Sequence, residues 1–587
     1  MTVELAGTGP AADAVAAALG DVDEPVERTE RPAFEHGTRL GVVVDRAGAA
    51  AFERANDRAR EAGVPWLAVE LGGVGGVPVV DASVGAFDPE GACYRCLAAR
   101  VESNADPDAD PAAAPADATA RFAGAVAGRR AAQLLDPAGA APLGTVVELP
   151  HTEREFLPVP GCECGEGRDR VLDRGHLDRD VERSLSRAER GLDDRVGVVQ
   201  QVGEAESYPA PYYLAQICDT GAFADATASR QAAGVDPGWD AAFMKALGEA
   251  YERYCAGVYD GREFKTAAAT DLADAVAPSA FVRPERWVGG EDGVDGEVQG
   301  TSDRPGGDRA ERPWVRGTDL VTEQPVSLPA ELVHYPPPER TIRPAITTGL
   351  GLGNASVEAL LSGLYEVVER DATTIAWYST FEPLGLAVSD PGYERLAARA
   401  GAEGLDATAL LLTQDVDVPV VAVAVTREEW PKLALGTAAH LDAGRAARNA
   451  LAEAVQNWVE LDGMGRDGAA ETDGAIGHYA DRPAVVDAFV SPETTVDAAS
   501  VGPDTVPEGS AHLDAVLDRV VDAGSSVYAA RTTTRDVQRL GFEAVRVVVP
   551  SAQPLFFGEP YFGERARSVP VDMGFEPALD RDHHPYP

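Results

Sequence analysis

Three predicted helices in the second half of the chain carry carboxylates at spacings that could bring them together. The side chains concerned are Glu249 and Glu252 in the first helix, Glu358, Glu366, Glu369 and Arg370 in the second, and Glu453 and Gln456 in the third. On a helical wheel with Glu358 at zero, Glu369 falls at about 20° and Glu366 at about 80°. Converging carboxylates repel one another unless cations lie between them, and Mg²⁺ prefers such oxygen ligands and bridges phosphates. An arginine adds a fixed charge for phosphate. The pattern predicts a Mg²⁺–nucleotide site.

The competing interpretation is that these carboxylates form solvated helix faces, because the chain has 96 Asp and Glu against 51 Lys and Arg, a net charge of −45. Each helix taken singly fits that interpretation. Taken together, and with the glycine-rich segment TTGLGLGN (347–354) before the second helix, they favour a binding site. The sequence contains no GxxxxGK[ST] motif and no kinase catalytic set, so a nucleotide site here is of another kind.

Four of the six cysteines occur in two close pairs. Cys93 and Cys96 form a CxxC pair, and Cys162 and Cys164 form a CxC pair. Two pairs of thiolates can surround one zinc ion tetrahedrally, which stabilises folding and leaves no open coordination position for catalysis. The pattern predicts structural zinc; four unrelated cysteines or a redox pair are the alternatives.

A glycine-rich turn, GTGPAA (7–12), follows a predicted strand and precedes a predicted helix. This is the position of a dinucleotide-binding turn. Its third glycine is replaced by alanine, and Pro10 lacks an amide N–H that a phosphate could use. We therefore favour a tight turn of a Rossmann-like fold over a nucleotide site.

The composition limits the partners and the compartment. A net charge of −45 excludes nonspecific binding to nucleic acid or to an anionic membrane. Lys245, Lys265 and Lys432 are the only lysines. This acid-rich, lysine-poor composition resembles that of halophilic archaea that accumulate salt; an acidic protein from a GC-rich bacterium is the alternative. No segment has the roughly 20 apolar residues of a membrane span, and no signal peptide is evident, so we expect a cytoplasmic protein.

The elements that would position these groups alternate along the chain. Near the N-terminus the predicted strands are 2–6, 40–44 and 66–71, and the predicted helices are 11–19 and 49–62. Such alternation predicts a parallel α/β sheet. An Ala/Asp/Pro-rich linker at 105–120 follows, and the charged segment 168–195 leads to a second, longer α/β region with a Gly/Asp-rich surface insertion at 289–312.

Three segments of the second region resemble the nucleotide-binding motifs of the YcaO family. They are LGEAYERYCAG (247–257), TTGLGLGNASVEALLSGLYEVVERDA (347–372) and ALAEAVQ (450–456), and the resemblance covers about 195–587. It implies that Mg²⁺ is bound, directly or through water, by Glu249, Glu252, Glu358, Glu366, Glu369 and Glu453. It implies that Asn354, Arg370 and Gln456 complete the ATP site. The serine of the first motif is Ala246 here, so that contact is missing or supplied elsewhere.

The last residues, HHPYP, are similar to the proline-rich C-terminus of azoline-forming members of the family. The resemblance implies that the terminal carboxylate of Pro587 lies in the active site, where Arg370 and Pro587 would be the catalytic residues. Pro585 and Pro587 would stiffen the tail. Only PxP is present rather than PxPxP, and a frayed acidic tail is the alternative.

Residues 1–190 resemble the ThiF-like domain that precedes YcaO in fused peptide cyclodehydratases. The resemblance is carried by GVPWLAVELGGVGGVPVV (63–80), ACYRCLAAR (92–100) and PVPGCECG (158–165). It implies a domain that has lost adenylation, helps to present the peptide and holds zinc through the four cysteines. The sequence shows no winged-helix leader-binding module ahead of this domain, so we expect a separate protein to bind a leader.

The predicted architecture is an N-terminal Rossmann/ThiF-like α/β domain with a zinc site (1–190), followed by a large α+β YcaO domain (195–587). The resemblance implies ATP-dependent activation of backbone amides, which forms azolines from Cys, Ser or Thr of a ribosomally made peptide. Thioamide formation with sulfide, an accessory role in ribosomal-protein methylthiolation and a non-catalytic peptide-binding scaffold are the alternatives. A vestigial scaffold would have lost motif glutamates, and none is lost, so we expect an enzyme. We also expect a homodimer.

Overall fold

A computed structural model describes residues 2–22, 24–35, 37–106, 115–136, 143–165, 167–285, 306–471 and 475–586. Half of the predicted linker (107–114), most of the predicted insertion (289–305) and Pro587 lie outside the described residues.

The helices and strands are numbered in chain order. The helices are α1 (Pro10–Gly20), α2 (Ala50–Ala62), α3 (Tyr94–Asn104), α4 (Asp117–Leu135), α5 (Val181–Ala188), α6 (Trp239–Gly257), α7 (Ala330–Val333), α8 (Ser356–Trp377), α9 (Pro391–Ala402), α10 (Ala443–Glu471), α11 (Ala475–Tyr479), α12 (Ala484–Phe489), α13 (Gly509–Asp522), α14 (Arg535–Leu540) and α15 (Arg565–Asp572). The strands are β1 (Thr2–Ala6), β2 (Val26–Thr29), β3 (Thr38–Arg46), β4 (Trp66–Leu71), β5 (Ala82–Phe87), β6 (Thr145–Glu148), β7 (Thr152–Glu155), β8 (Val199–Glu206), β9 (Tyr212–Ile217), β10 (Gln231–Val235), β11 (Lys265–Ala267), β12 (Arg312–Asp319), β13 (Pro325–Pro329), β14 (Leu350–Gly353), β15 (Leu384–Ala387), β16 (Asp406–Leu411), β17 (Val420–Thr426), β18 (Leu433–Ala439), β19 (Thr495–Asp497), β20 (Tyr528–Arg531) and β21 (Glu543–Val548).

Seven strands of the described residues form the first sheet, in the order β2-β1-β3-β4-β5-β6-β7. Strands β1, β3 and β4, which correspond to the three predicted strands, pair in parallel as expected, and β2 joins β1 in parallel. Strands β4 to β7 pair antiparallel, so the complete sheet is mixed. The connection from Leu71 to Ala82 contains no helix, and a parallel pair needs a longer crossover connection.

Packing accounts for the first glycine of the turn at 7–12. Gly7 has φ = 127°, and a Cβ there would lie 2.4 Å from the carbonyl oxygen of Val44. Pro10 is the first residue of α1, where a missing N–H costs nothing. Packing and helix geometry therefore explain Gly7 and Pro10 without a bound nucleotide, in line with the interpretation favoured from the sequence.

The described residues of the second region form three further sheets. Their orders are β10-β9-β8, β11-β12-β20-β21-β14 with β13 beside β12, and β18-β17-β16-β15-β19. All the named pairs are antiparallel except β15 with β19. The predicted boundary at 190–195 falls between the first sheet and these three, and the division into two domains stays a prediction.

The three predicted acidic helices take different places in this region. Helix α6 packs on β9 and β10, and α10 packs on β17 and β18. Helix α8 lies between two sheets, because it contacts β14 and β21 on one side and β18 on another. Within the described ranges no helix is both long and apolar enough to cross a membrane.

Candidate functional site

Protein covers the charged face of α8 at Glu369 and Arg370, because a sheet lies on each side of the helix. Glu369 is 9% exposed, and the side chain of Arg370 is 14% exposed. These two residues therefore do not belong to a solvated helix face, which was the competing interpretation from the sequence.

Arg370 lies between carboxylates of two helices. Its Nε is 3.7 Å from Oε1 of Glu369, and its Nη2 is 3.9 Å from Oε1 of Glu453 on α10. Burial raises the pKa of Glu369 to about 7 and also raises the pKa of Glu453, although the Arg370 charge acts in the opposite direction. The fold thus holds two carboxylates where one positive charge does not fully compensate for burial.

A third helix brings Glu252 of α6 to the same group. Burial raises its pKa to about 8; Arg253 opposes this rise, while Glu366 and Glu249 add to it. Glu366 is held in turn, because its Oε2 accepts a hydrogen bond of 3.0 Å from the backbone N–H of Gly349. The structure therefore brings together carboxylates from α6, α8 and α10, and we call Glu252, Glu366, Glu369 and Glu453 the acidic cluster.

Glu249 and Gln456 stand at the edge of the acidic cluster with partners of their own. Glu249 accepts hydrogen bonds from the Ala233 N–H (2.8 Å) and from Arg253 Nη2 (2.9 Å). The Gln456 side-chain amide donates to Glu460 Oε1 over 3.0 Å. A cation would have to compete with these hydrogen bonds for Glu249, whereas the Gln456 carbonyl oxygen is an acceptor by its chemistry.

Glu358 lies apart from the acidic cluster, at the exposed N-terminal end of α8. Its Oε2 accepts from the backbone N–H of Asn354 (2.7 Å) and from the Asn354 amide (3.0 Å). Ser184 donates to Asn354 Oδ1 over 2.8 Å. Glu358 precedes Glu366 by eight residues, about 12 Å along the helix axis. Glu358 is therefore not part of the acidic cluster, and its contribution to the Mg²⁺–ATP site stays a prediction.

A buried arginine that the motifs did not reveal also faces the acidic cluster. Arg546 of β21 is 3% exposed and donates to the carbonyl oxygen of Thr347 over 2.7 Å. Burial and the nearby Arg343 lower its pKa to about 9, while Glu366 and Glu252 favour its charged form. Only the sheet pairing of β21 with β14 brings Arg546 here, so no local sequence signal could have found it.

The donor set fits ATP with Mg²⁺. The acidic cluster offers carboxylate oxygens, the ligands Mg²⁺ prefers, and bound Mg²⁺ would offset its negative charge. Arg370 and Arg546 offer guanidinium donors for phosphate oxygens.

The C-terminal tail packs against the far end of α8. His584 and Tyr586 are completely buried, and the indole N–H of Trp377 donates to the carbonyl oxygen of Asp582 over 2.8 Å. The described part of the tail is therefore held and not frayed, contrary to the alternative from the sequence. Pro587 itself lies outside the described residues.

The four paired cysteines meet beside the first sheet. The Sγ–Sγ distance is 3.6 Å between Cys93 and Cys162, 3.4 Å between Cys96 and Cys164, and 3.9 Å between Cys93 and Cys96. Among the residues that the structure describes, this is the one group of at least three ligand-type side chains whose atoms all lie within 4.8 Å of one another. Four sulfurs at such distances fit one tetrahedral zinc ion.

A residue of the second region contacts this cysteine group. Arg535, the first residue of α14, donates to Cys164 Sγ over 3.0 Å and to the Val159 carbonyl oxygen over 2.6 Å. A guanidinium close to thiolates offsets part of their negative charge, which four thiolates around one zinc ion retain. The cysteine group is thus tied to both regions of the chain.

Comparison with known proteins identifies a family for this chain and solved structures with a similar fold. Residues 234–553, more than half of the chain, match the family model of YcaO cyclodehydratases, which bind ATP and Mg²⁺. A structure described as a heterocyclase in complex with substrate and cofactor covers 98% of this chain and 83% of its own, with a TM-score of 0.73 and 21% identity. The heterocyclase TruD covers 98% of this chain and 81% of its own, with a TM-score of 0.66 and 20% identity.

A relative known by its sequence comes from Methanothermobacter thermautotrophicus. It is an uncharacterised protein, 28% identical over 340 residues, which are 55% of this chain and 82% of the relative. The two structural matches include the N-terminal sheet, since they cover nearly the whole chain.

Proposed function

The chain belongs to the YcaO family, and we propose that it is an ATP-dependent cyclodehydratase that forms azolines from Cys, Ser or Thr of a ribosomally made peptide. The family is described as cyclodehydratases that bind ATP and Mg²⁺. The peptide substrate and the azoline product are the parts that we propose.

One observation carries the proposal. Carboxylates of three separate helices come together in the acidic cluster: Glu369 and Glu453 lie beside Arg370, and Glu252 interacts with Glu366. Loss of hydration raises the pKa values of Glu252, Glu369 and Glu453. A fold gains no stability from burying like charges, so a ligand that compensates them is the simplest reason for the arrangement.

In the proposed reaction the chain holds ATP and a peptide side by side. The side chain of a substrate Cys, Ser or Thr adds to the preceding amide carbonyl and loses its proton, and the resulting oxyanion attacks the γ-phosphate of ATP. The bond to ADP breaks, and later loss of phosphate together with the amide proton leaves the C=N bond of the azoline. Arg370 would stabilise the charge on the transferred phosphoryl group, and Mg²⁺ bound by the acidic cluster would neutralise phosphate charge.

We assign the remaining site residues from the resemblance of their segments to the nucleotide-binding motifs of the family. Glu249, Glu358, Asn354 and Gln456 would line the ATP site, with Glu358 acting from the N-terminal end of α8. The cysteine group would hold structural zinc in a ThiF-like domain over 1–190. Its support is the sulfur geometry, since all four sulfurs lie within 4.8 Å of one another.

Calorimetric titration with Mg²⁺ and ATP tests the nucleotide site. Glu369→Gln keeps the side-chain shape and removes one charge, and Arg370→Ala removes a charge-assisted hydrogen bond worth about 1.5–3 kcal/mol. Both variants should bind Mg²⁺–ATP more weakly than the wild type. Glu394→Gln, at an exposed glutamate of α9, is the matched control. Wild-type affinity in both site variants would reject the nucleotide site.

Mass spectrometry of a candidate peptide tests the product. Cyclodehydration removes one water for each ring, whereas thioamide formation exchanges one oxygen for sulfur. A mass loss that requires ATP supports the azoline, and a sulfur-for-oxygen gain in the presence of sulfide supports the thioamide. Peptide binding without any mass change would favour a scaffold.

A further inference from the structure

One residue outside the three motifs bonds to carboxylates of two helices at once. The backbone N–H of Thr437 in β18 donates to Glu453 Oε2 over 2.6 Å, and its hydroxyl donates to Glu369 Oε1 over 2.6 Å. Thr437 is 4% exposed, so water cannot easily replace either contact. Glu369 and Glu453 belong to α8 and α10, and Thr437 is therefore their common partner.

These contacts fix the orientation of both carboxylates. Glu453 turns Oε2 towards Thr437 and Oε1 towards Arg370, which is 3.9 Å away. Glu369 uses Oε1 for Thr437, and the same oxygen is the one 3.7 Å from Arg370. Thr437 thus holds both carboxylates from one side. The oxygens of each carboxylate can still accept contacts from a ligand.

The residue before Thr437 explains how β18 reaches α10 so closely. A Cβ on Gly436 would lie 2.3 Å from the carbonyl oxygen of Ala450 and 2.3 Å from the N atom of Ala454. These two residues flank Glu453 on α10. Only glycine lets the strand come close enough for the next residue to donate its N–H to Glu453.

The donor at this place is neutral. A cation already stands beside both carboxylates, because Arg370 Nε lies 3.7 Å from Glu369 Oε1 and Arg370 Nη2 lies 3.9 Å from Glu453 Oε1. A further lysine or arginine would neutralise the pair, whereas a hydroxyl and a backbone N–H fix direction and leave the negative charge in place. That charge is what a divalent cation requires.

We propose that Thr437 is a positioning residue that holds Glu369 and Glu453 in the arrangement that binds a divalent cation together with ATP. The inference rests on the proposed function and adds a residue of β18 to the site. Thr437 itself touches neither cation nor nucleotide. A purely structural tie between strand and helices is the alternative, and it would affect stability but not the need for the cation.

Thr437→Val keeps the branched shape and the backbone N–H and removes only the hydroxyl donor. At fixed ATP, it should raise the Mg²⁺ concentration for half-maximal nucleotide binding roughly tenfold, as expected for loss of a hydrogen bond to a charged group. Thr437→Ser retains the donor and should remain within about threefold of the wild type. Thr408→Val, in β16 of the same sheet, is the control and should leave the Mg²⁺ requirement unchanged.

A second pair guards against failure of the valine variant to fold. Thr437→Ala and Thr437→Ser both lose the methyl group and differ only by the hydroxyl, so their Mg²⁺ requirements should differ roughly tenfold. Thermal unfolding without nucleotide records the structural cost of each variant separately.

The outcomes separate this inference from the proposed function. If Thr437→Val needs no more Mg²⁺ than the wild type while Glu369→Gln loses binding, the site stands and the role of Thr437 is overturned. Equal impairment of the serine and alanine variants also overturns it, because packing and not the donor would then matter. If Glu369→Gln binds Mg²⁺–ATP like the wild type, that result rejects the proposed nucleotide site itself, and with it the role of Thr437.

Discussion

Arg100 and Asp536 form an ion pair in which neither side chain is exposed to solvent. Arg100 lies on α3, the helix that also carries Cys96, and Asp536 lies on α14, directly after the residue that contacts Cys164. Tyr254 of α6 donates its hydroxyl to the same Asp536 oxygen over 2.6 Å. The pair therefore joins the region of the first sheet to the helix that leads into β21.

Removing one partner of this pair should destabilise the protein severely. Arg100→Met leaves the buried Asp536 carboxylate without its counter-charge, at a cost of about 3–5 kcal/mol in the free energy of unfolding. The double variant Arg100→Met/Asp536→Leu removes both charges and should recover much of that loss. Denaturant unfolding measures all three proteins, and a double variant no more stable than Arg100→Met would contradict the argument.

The cysteine group should bind about one zinc ion per chain. Cys93→Ser and Cys162→Ser should each lower the zinc content and the yield of folded protein, because metal binding stabilises the fold. Cys218→Ala removes a buried cysteine outside the group and should leave zinc in place. Elemental analysis of the purified proteins is the measurement, and full zinc in a variant lacking all four paired cysteines would refute the site.

The net charge of −45 should make stability depend on salt. Repulsion between carboxylates is long-ranged at low ionic strength and is screened as salt rises. The melting temperature should therefore increase from about 0.1 M to about 3 M KCl. A flat or falling melting temperature would count against a protein adapted to high salt.

Buried neutral histidines should make the protein less stable in mild acid. Burial lowers the pKa of His440 and of His584 to about 3, against an ordinary value of 6.5. Below pH 6.5 the unfolded chain binds protons that the folded chain refuses, so stability falls with pH by up to about 1.4 kcal/mol per unit for each histidine.

His440→Asn isolates one of these contributions. The Asp442 N–H donates to His440 Nδ1 over 2.9 Å, and asparagine can still accept that hydrogen bond without titrating. Between about pH 6.5 and about pH 5 the variant should lose less stability than the wild type. Equal slopes of unfolding free energy against pH would show that His440 is protonated in the folded protein.

Local patterns were enough to predict many elements of the fold. Strands β1 and β4 occupy the predicted residues, and the helix predicted at 49–62 corresponds to α2 (Ala50–Ala62). Runs of apolar residues and helical spacing are patterns of neighbouring residues, so a single sequence is enough to recognise them. The direction of β5 could not be predicted, because it depends on the length of the connection between β4 and β5, which the composition does not reveal.

The residues of the candidate site also fall into two groups, those that the sequence could reveal and those that it could not. Glu369, Arg370 and Glu453 could be found because they lie in motifs with helical spacing. Thr437 and Arg546 could not, because each reaches the acidic cluster only through the pairing and packing of strands distant in sequence. A helical wheel shows the angle of a residue around the helix axis and not its position along that axis. Glu358 and Glu369 therefore share a face of the wheel although they lie far apart along α8.

The close approach at Gly436 has a consequence for how this protein can vary over evolutionary time. Any side chain there would meet the α10 backbone at 2.3 Å, and backbone cannot rotate aside as a side chain can. Even a substitution of this glycine by alanine would therefore drive α10 from β18 and separate Glu453 from its partner without altering any charge. Position 436 should drift as little among functional descendants as the glutamates themselves, although glycine has no chemistry of its own.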